Sequence, residues 1–267
     1  MSILDEVPSE SKIKSLVARM TFGKRIFCPR CGTSHVRRSE KRYRCPKCRR
    51  PFSATSVSWL SGMKISHRQL YLLIVCWQRR IAFDTACSLC GVSAITARRW
   101  FRRFRYHLVY ESPHLAGTVE VDEAFLGKRR FGNQKVVLGA FERARRTVVV
   151  RMTHNREQET TDRFILRHIE GRSTVCTDSA PCYEGIDSFF GYRHETCNHS
   201  EFVFGPTNLI ENVWSRLKGY IRRTYHHYHK EWLPSLLREF EARINAPELF
   251  ISPLNFLETS LVAVPTR

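Results

Sequence analysis

The sequence predicts a multidomain protein that combines a small zinc ribbon, an all-α helix-turn-helix domain and an α/β domain with a mixed central sheet. Three observations support this prediction: two C-x-x-C pairs, an arginine-rich helical segment after a glycine turn, and a series of apolar β-type segments in the second half. A chain of 267 residues is long enough for two or three small domains. The predicted boundaries are 1–58 for an N-terminal helix and the ribbon, 59–112 for the helix-turn-helix, 113–245 for the α/β domain and 246–267 for a C-terminal tail.

The composition is strongly basic and indicates an anionic partner. There are 44 Lys and Arg against 25 Asp and Glu, with a formal net charge of +19 and a pI near 9.9. Nucleic acid is the default partner of such a chain, with an anionic membrane or ribosomal RNA as alternatives. No stretch approaches the roughly 18 apolar residues of a membrane span, and the first residues do not form a secretory signal. We therefore expect a soluble cytoplasmic protein associated with the nucleoid, or a nuclear one in a eukaryotic host, whose cysteines are thiols or metal thiolates.

Two cysteine pairs, Cys28 with Cys31 and Cys45 with Cys48, predict a structural zinc site. Each C-x-x-C places two thiolates on one tight turn, and a short hairpin between the pairs would bring four sulfur ligands around one Zn²⁺. The basic residues around the pairs are Lys24, Arg25, Arg30, Arg37, Arg38, Lys41, Arg42, Arg44, Lys47, Arg49 and Arg50. Charge of this density favours a surface that follows a phosphate backbone over one that only confers solubility.

The segment 66–105 predicts helices with a DNA-binding outline. Ser66 is the predicted N-cap of a first helix, and a short second helix ends at the turn around Gly91, where Ser93 would cap an arginine-rich third helix. A short helix, a glycine turn and a basic helix are typical of a helix-turn-helix, although a solvated basic helix is the alternative interpretation. We expect the core to contain Ile95, Trp100 and Phe104. The residues expected to contact DNA are Thr96, Arg98, Arg99, Arg102 and Arg103.

Beyond residue 113 the pattern changes to strands, and three acidic residues occupy positions that suit an active site. The predicted strands are 118–125, 135–141, 147–153, 174–178 and 191–199, and the predicted helices are 160–170 and 208–223. Asp122 lies inside the first strand, Asp178 ends the fourth, and Glu211 lies in the last helix. The ribonuclease H-like layout, which this order of elements resembles, would place the fourth strand beside the first. An unpaired acid in so apolar a strand is costly. Together the three carboxylates could hold two Mg²⁺ or Mn²⁺ ions about 3.5–4 Å apart for phosphoryl transfer.

The order of these elements resembles the ribonuclease H-like layout, and several motifs extend the resemblance to a family. They include V-E-V-D-E-A-F-L-G at 119–127, T-D at 177–178 and T-N-L-I-E-N-V-W-S-R-L-K at 207–218. These motifs look like those of the insertion-sequence transposases of the ISXO-like, Merlin-related group, and the resemblance covers essentially the whole chain. It implies a DDE-type DNA transposase that binds the terminal repeats of an insertion sequence. Such an enzyme cleaves the DNA ends and joins the 3′-hydroxyl to target DNA by two-metal phosphoryl transfer.

The resemblance also implies roles for individual residues. Asp122, Asp178 and Glu211 match the metal ligands of the family, and Lys218 matches its accessory lysine. Glu211 and Lys218 are two helical turns apart and share one helix face with Asn208, one turn earlier. Because some members of the family have asparagine or histidine as the third ligand, Glu211 and Asn208 both stay candidates for that position.

Residues around these positions complete the expected site. Arg222 and Arg223 form the basic end of the last helix and are expected to contact DNA. Glu120 shares the strand face of Asp122 and is a possible outer partner, whereas Glu123 should point to the opposite face. Relatives commonly have a histidine where this chain has Pro206.

Two other functions use the same residues. A ribonuclease H-like nuclease would cut DNA without joining it, and a non-catalytic regulator would use only the zinc ribbon and the helix-turn-helix to bind DNA. The chemistry of the carboxylates does not separate cutting from joining. Because a transposase must bring two DNA ends together, we expect a homodimer or higher oligomer on double-stranded DNA.

Overall fold

The computed structural model describes residues 6–39, 42–127, 134–188, 191–197, 207–225 and 228–261. The chain divides into two compact units, Met1–Val109 with Glu248–Arg267 and Tyr110–Pro247. Residues 248–261, which lie within the predicted C-terminal tail, are grouped with the first unit. Within the described ranges no helix is long and apolar enough to cross a membrane.

The structure contains eight α-helices and eight strands in the described residues. In chain order they are α1 (Glu10–Phe22), β1 (Arg37–Ser39), β2 (Arg42–Arg44), β3 (Pro51–Phe52), α2 (His67–Gln78), α3 (Phe83–Cys90), α4 (Ala94–Tyr106), β4 (Thr118–Leu126), β5 (Lys135–Glu142), β6 (Thr147–Thr153), α5 (Gln158–His168), β7 (Thr174–Asp178), β8 (Arg193–Cys197), α6 (Asn208–Tyr225), α7 (Leu233–Asn245) and α8 (Pro253–Ser260). The predicted strands and helices of the second unit agree with these bounds to within two residues, although residues 198 and 199 of the last predicted strand lie outside the described ranges.

The first unit begins with α1 and a three-stranded antiparallel sheet in the order β1-β2-β3. The Ser9 hydroxyl caps α1 by accepting a hydrogen bond from the N–H of Lys12 (3.4 Å). Phe22, at the end of the helix, packs edge-on against Tyr43 and Phe52 with ring centroids 5.9 Å apart. These aromatic contacts join α1 to the small sheet. They provide an apolar core for the sheet, which has too few residues to form one alone.

Helices α2, α3 and α4 have the caps that the sequence predicts. Ser66 and Gln69 form a capping box at the start of α2. Gly91 ends α3 in the left-handed conformation (φ 59°, ψ 43°), which glycine adopts without steric cost. Two residues later the Ser93 hydroxyl accepts a hydrogen bond from the N–H of Thr96 (3.3 Å) and begins α4. The predicted succession of helix, glycine turn and helix is therefore present.

The core of the helical part is aromatic. Trp77 of α2 is fully buried and packs against Phe104 of α4 and Phe256 of α8, with ring centroids 5.6 and 5.1 Å away. Trp100 and Phe104 are buried as predicted. The prediction for Ile95 is wrong, because its side chain is 79% exposed.

The second unit is built on a five-stranded mixed sheet in the order β6-β5-β4-β7-β8. Strands β4, β5 and β6 form an antiparallel meander, whereas β7 runs parallel to β4 and β8 runs parallel to β7. This mixed sheet, with β7 beside β4, confirms the predicted central sheet. The order of strands and helices is the one expected from the ribonuclease H-like layout.

Helices cover both faces of this sheet. Helices α6 and α7 bury an apolar cluster against one face, where Val137, Trp214 and Phe240 are among the buried side chains. Helix α5 and the short 3-10 turns at 181–183 and 186–188 cover the other face. Because side chains alternate along a strand, β4 presents its even-numbered residues to α6 and its odd-numbered residues to α5.

Candidate active site and zinc centre

The four cysteines of the first unit form a compact sulfur cluster. Their Sγ atoms all lie within 4.8 Å of one another, with Cys28 and Cys48 at 3.6 Å and Cys31 and Cys45 at 3.5 Å. These separations are too long for a disulfide bond and are close to the edge of about 3.8 Å in a tetrahedron with Zn–S bonds of about 2.3 Å. The N–H of Cys48 donates to the Cys45 sulfur and lowers the pKa of Cys45 to about 7, which favours the thiolate. The donor set therefore fits one structural Zn²⁺.

We expect all four cysteines to be needed for binding the zinc ion. Cys48→Ala should lower the zinc content, measured by plasma mass spectrometry, from one ion per chain to less than about a tenth, because three thiolates hold a structural ion poorly. Cys87→Ala is the matched control, since Cys87 lies on α3 outside the sulfur cluster. Full zinc occupancy in Cys48→Ala would contradict the assignment.

Asp122 and Asp178 lie on adjacent parallel strands of the second unit. The paired register of β4 and β7 ends with Glu120 opposite Cys176, so Asp122 and Asp178 each lie two residues beyond the last pair of these strands. Asp178 ends β7, and its Oδ1 accepts a hydrogen bond from the N–H of Ala180 (3.0 Å), which fixes the carboxylate at the strand end. The sheet therefore brings two of the three predicted acids together.

The indole of Trp214 connects α6 to Asp122. Its Nε1–H donates to Asp122 Oδ2 (2.8 Å), and its ring packs directly over Gly139, the residue of β5 that pairs with Asp122. Burial raises the pKa of Asp122 to about 6, the Trp214 hydrogen bond opposes this rise, and the charge of Asp178 adds to it. Carboxylate oxygens are the ligands that Mg²⁺ and similar cations take, and a bound cation would favour the ionised form of Asp122.

Glu120 fixes the start of α6 on the same face of the sheet. Its side chain is 1% exposed, and its Oε2 accepts hydrogen bonds from the N–H groups of Leu209 (2.8 Å) and Ile210 (3.0 Å). Its Oε1 accepts from Arg143 (2.8 Å). A carboxylate at a helix N-terminus binds free N–H groups and interacts favourably with the helix dipole. Glu120 therefore sets the position of the helix turn that carries Glu211.

Glu120→Gln is expected to destabilise the second unit by about 1–2 kcal/mol, because the amide removes the charge and one acceptor from this buried site. The shift should appear as a lower urea midpoint in equilibrium unfolding. Glu195→Gln, a similar change at a side chain that is 43% exposed, should have an effect below about 0.5 kcal/mol. Equal midpoints for the two variants would exclude this role of Glu120.

Glu123 points to the opposite face of β4, as predicted. Its carboxylate accepts hydrogen bonds from Arg156 (2.8 Å) and from the hydroxyl of Tyr183 (2.9 Å). Both oxygens are thus used on the α5 side of the sheet. This arrangement favours a structural role for Glu123.

The remaining predicted residues lie along the outer side of α6. Asn208, Glu211 and Lys218 are exposed, whereas Trp214 and Leu217 are buried against the sheet. Glu211 lies one turn before Trp214, the residue that contacts Asp122. Among the described residues only the four cysteines bring three or more potential ligand atoms within 4.8 Å of one another. The carboxylates of Asp122, Asp178 and Glu211 do not form such a group, whereas the predicted two-metal site requires them to lie close together.

The predicted DNA-contacting residues differ in their surroundings. Arg98, Arg99 and Arg102 are exposed on α4, and Thr96 is half-buried. Arg103 donates to the backbone carbonyls of Trp59 and Ser61 and stacks over the ring of Trp100 at 4.6 Å. The guanidinium of Arg103 is thus bound within its own unit, so we remove it from the DNA-contacting set. Arg222 and Arg223 are exposed near the end of α6, and Pro206 lies outside the described residues.

Two family models match the chain. Residues 114–245 match the family model described as the ISXO2-like transposase domain, and residues 8–51 match the model of the transposase zinc-ribbon domain. A relative from Halobacterium salinarum, described as an uncharacterized protein in transposable element ISH50, is 24% identical over 192 residues. That match covers 70% of this chain and 58% of the relative, so the chain spans less than two thirds of the relative's length. Among solved structures, the catalytic core domain of BIV integrase is 14% identical and has a TM-score of 0.36, covering 49% of this chain and 84% of that one.

Proposed function

Because the chain belongs to the family of ISXO2-like transposases, we propose that it cleaves DNA at the ends of a mobile element and joins the 3′-hydroxyl to target DNA. The observation that supports this most directly is the arrangement around Asp122. Asp178 lies on the neighbouring strand, and Trp214 and Glu120 hold α6 over the same face of the sheet. Glu211 then comes from the first turns of that helix.

In the proposed reaction the acids bind divalent cations. Asp122 and Asp178 would be the ligands from the two strands, and Glu211 would be the third, with Asn208 as the alternative. When bound, two Mg²⁺ or Mn²⁺ ions would supply activation of the attacking oxygen and stabilisation of the leaving oxygen in an in-line displacement at phosphorus. Trp214 would orient Asp122 by donating a hydrogen bond to its Oδ2. No covalent bond between protein and DNA is needed.

The first unit would supply the specific DNA contacts. Helix α3, the Gly91 turn and α4 form the proposed helix-turn-helix, with α4 entering the major groove. Arg98, Arg99 and Arg102 are its exposed cations. They would contact base edges or phosphates, as arginines commonly do in such helices.

The zinc ribbon would add phosphate contacts. Arg37 of β1 and Arg44 of β2 are directly opposite each other in the antiparallel pair, and both are exposed. Like charges at such positions destabilise a sheet unless an anion lies between them. A DNA phosphate would supply that anion.

Basic residues of α6 are proposed to bind the DNA strand at the site of chemistry. Lys218 lies two helical turns beyond Glu211, and Arg222 follows one turn later on the same exposed side. Arg223 is also exposed there. These side chains would bind phosphates that flank the scissile one.

A strand-transfer assay tests the proposed function. The full chain is incubated with Mg²⁺, Mn²⁺ or Ca²⁺, a labelled duplex carrying the inverted repeat that flanks the gene, and a supercoiled plasmid. Joined products with Mg²⁺ or Mn²⁺, and their absence with Ca²⁺, are the expected result. Cleavage without joining would favour the nuclease, and binding without either reaction would favour the regulator.

We further propose that the active form on DNA is a dimer or larger, because two ends must be joined together. The mass of the complex with paired-end DNA, measured by light scattering after size-exclusion chromatography, is expected to correspond to at least two chains. A complex that contains a single chain would contradict this.

A further inference from the structure

The exposed side of α4 combines arginine with large apolar side chains. Ile95 is 79% exposed and Tyr106 is 78% exposed. Residues seven and eleven positions apart fall on nearly the same side of a helix, so Ile95, Arg102 and Tyr106 form one line, and Arg98 and Arg99 flank it. This line extends for about 16 Å at 1.5 Å per residue. We call these five residues the α4 outer face.

The charge of the α4 outer face indicates which partner it fits. Helix α4 contains no acidic residue, and in the described part of the chain neither Arg99 nor Arg102 takes part in an ion pair. A second copy of this face would place arginine against arginine. A polyanion with apolar groups along its surface would satisfy both the arginines and the exposed isoleucine.

The position of Ile95 within α4 indicates that the polyanion is DNA and that this residue contacts its major groove. Ile95 is the second residue of the helix, and the Ser93 cap holds this first turn in place. In a helix-turn-helix the N-terminal residues of the second helix contact base edges. The thymine C5-methyl group is the apolar feature of the major groove, and it takes contacts from aliphatic side chains.

We infer that Ile95 contacts the C5-methyl group of a thymine and so helps to determine which DNA sequence the protein binds. This inference rests on the proposed DNA-binding function of α4. Arg99 and Arg102 would contact guanines or phosphates beside that thymine. The contact is shape-based, because an isoleucine offers no hydrogen bond.

Binding-site selection followed by removal of single methyl groups tests the inference. The full chain is used to select sites from a random duplex library, and affinities are then measured with deoxyuridine replacing each thymine in turn. Wild type should lose about fourfold in affinity at one position, the effect of one buried methyl group. Ile95→Ala should bind the unmodified site about as weakly and should be insensitive to deoxyuridine there, since the two changes remove the same contact.

Ile251→Ala is the matched control. Ile251 is 76% exposed in the same unit but lies outside α4, so this variant should keep the wild-type response to deoxyuridine. The inference is overturned if Ile95→Ala retains the full deoxyuridine effect at every thymine, or if wild type shows none. Failure of wild type to select any sequence would instead reject the proposed DNA-binding function as a whole.

Discussion

Asp178→Asn is expected to reduce both cleavage and joining by roughly 10³ or more while leaving the fold and the affinity for DNA unchanged. The amide keeps the size of the side chain, and its oxygen can still accept the hydrogen bond from the N–H of Ala180. What it removes is the negative charge that would bind a divalent cation. It also removes a charge that raises the pKa of Asp122, so the melting temperature should stay the same or rise slightly.

The control for this prediction is Asp162→Asn, the same chemical change on α5 of the same unit. Activity is measured as strand transfer at saturating Mg²⁺, DNA affinity by fluorescence anisotropy in Ca²⁺, and stability by thermal unfolding. Activity of Asp178→Asn within about tenfold of wild type would remove Asp178 from the set of metal ligands. If both variants had a lower melting temperature and similar losses of activity, the role of Asp178 would be structural.

Local signals explain why much of the fold could be predicted from the sequence. The strands of the second unit are short apolar runs rich in valine and separated by basic turns, and their short length and β-branched residues favour strands over helices. The zinc cluster follows from the spacing of Cys28, Cys31, Cys45 and Cys48, which fixes two thiols on each turn. The strands of Asp122 and Asp178 could be placed side by side in advance because the ribonuclease H-like layout has the fourth strand beside the first.

Contacts between distant parts of the chain could not be predicted in the same way. The hydrogen bond from Trp214 to Asp122 joins residues 92 positions apart, and the contact from Glu120 to the N–H of Leu209 joins residues 89 apart. From the sequence alone, Trp214 is expected only to pack the last helix against the sheet. A partial signal existed, because a buried tryptophan N–H usually needs a partner.

Helix α4 shows how an apolar residue can be misplaced by pattern alone. Its buried side runs through Ala97, Trp100, Phe101 and Phe104, which recur at three- and four-residue spacing. Ile95 is five residues before Trp100, and at 100° per residue it points well away from that side. Arg103 shows the opposite case, since a charged side chain at the edge of the buried side bonds to nearby carbonyls.

Gly139→Ala is expected to disable the site without touching any proposed ligand. A Cβ atom on Gly139 would lie 2.7 Å from Cζ2 of Trp214, closer still to its Cη2, and 3.2 Å from Cδ1 of Ile210. Side-chain atoms do not approach this closely, so the indole must move. Its hydrogen bond to Asp122 would then be lost or lengthened, and the first turns of α6 would shift with it.

The expected effects are a loss of stability of about 1–3 kcal/mol from overpacking and a loss of strand-transfer activity of about 10²-fold from misplaced ligands. Thermal and urea unfolding measure the first, and the strand-transfer assay at saturating Mg²⁺ measures the second. Tryptophan fluorescence would change as well, because the indole of Trp214 leaves its buried position.

Gly219→Ala separates this effect from the general consequence of adding a methyl group. Gly219 lies within α6, and a Cβ there would have no neighbour within 4 Å among the described residues. Alanine in place of glycine inside a helix should stabilise the protein by about 0.5–1 kcal/mol and leave activity unchanged. If Gly139→Ala kept wild-type activity, the position of Trp214 could not matter for catalysis. If both variants lost activity equally, α6 itself rather than the contact between Trp214 and Asp122 would be the sensitive element.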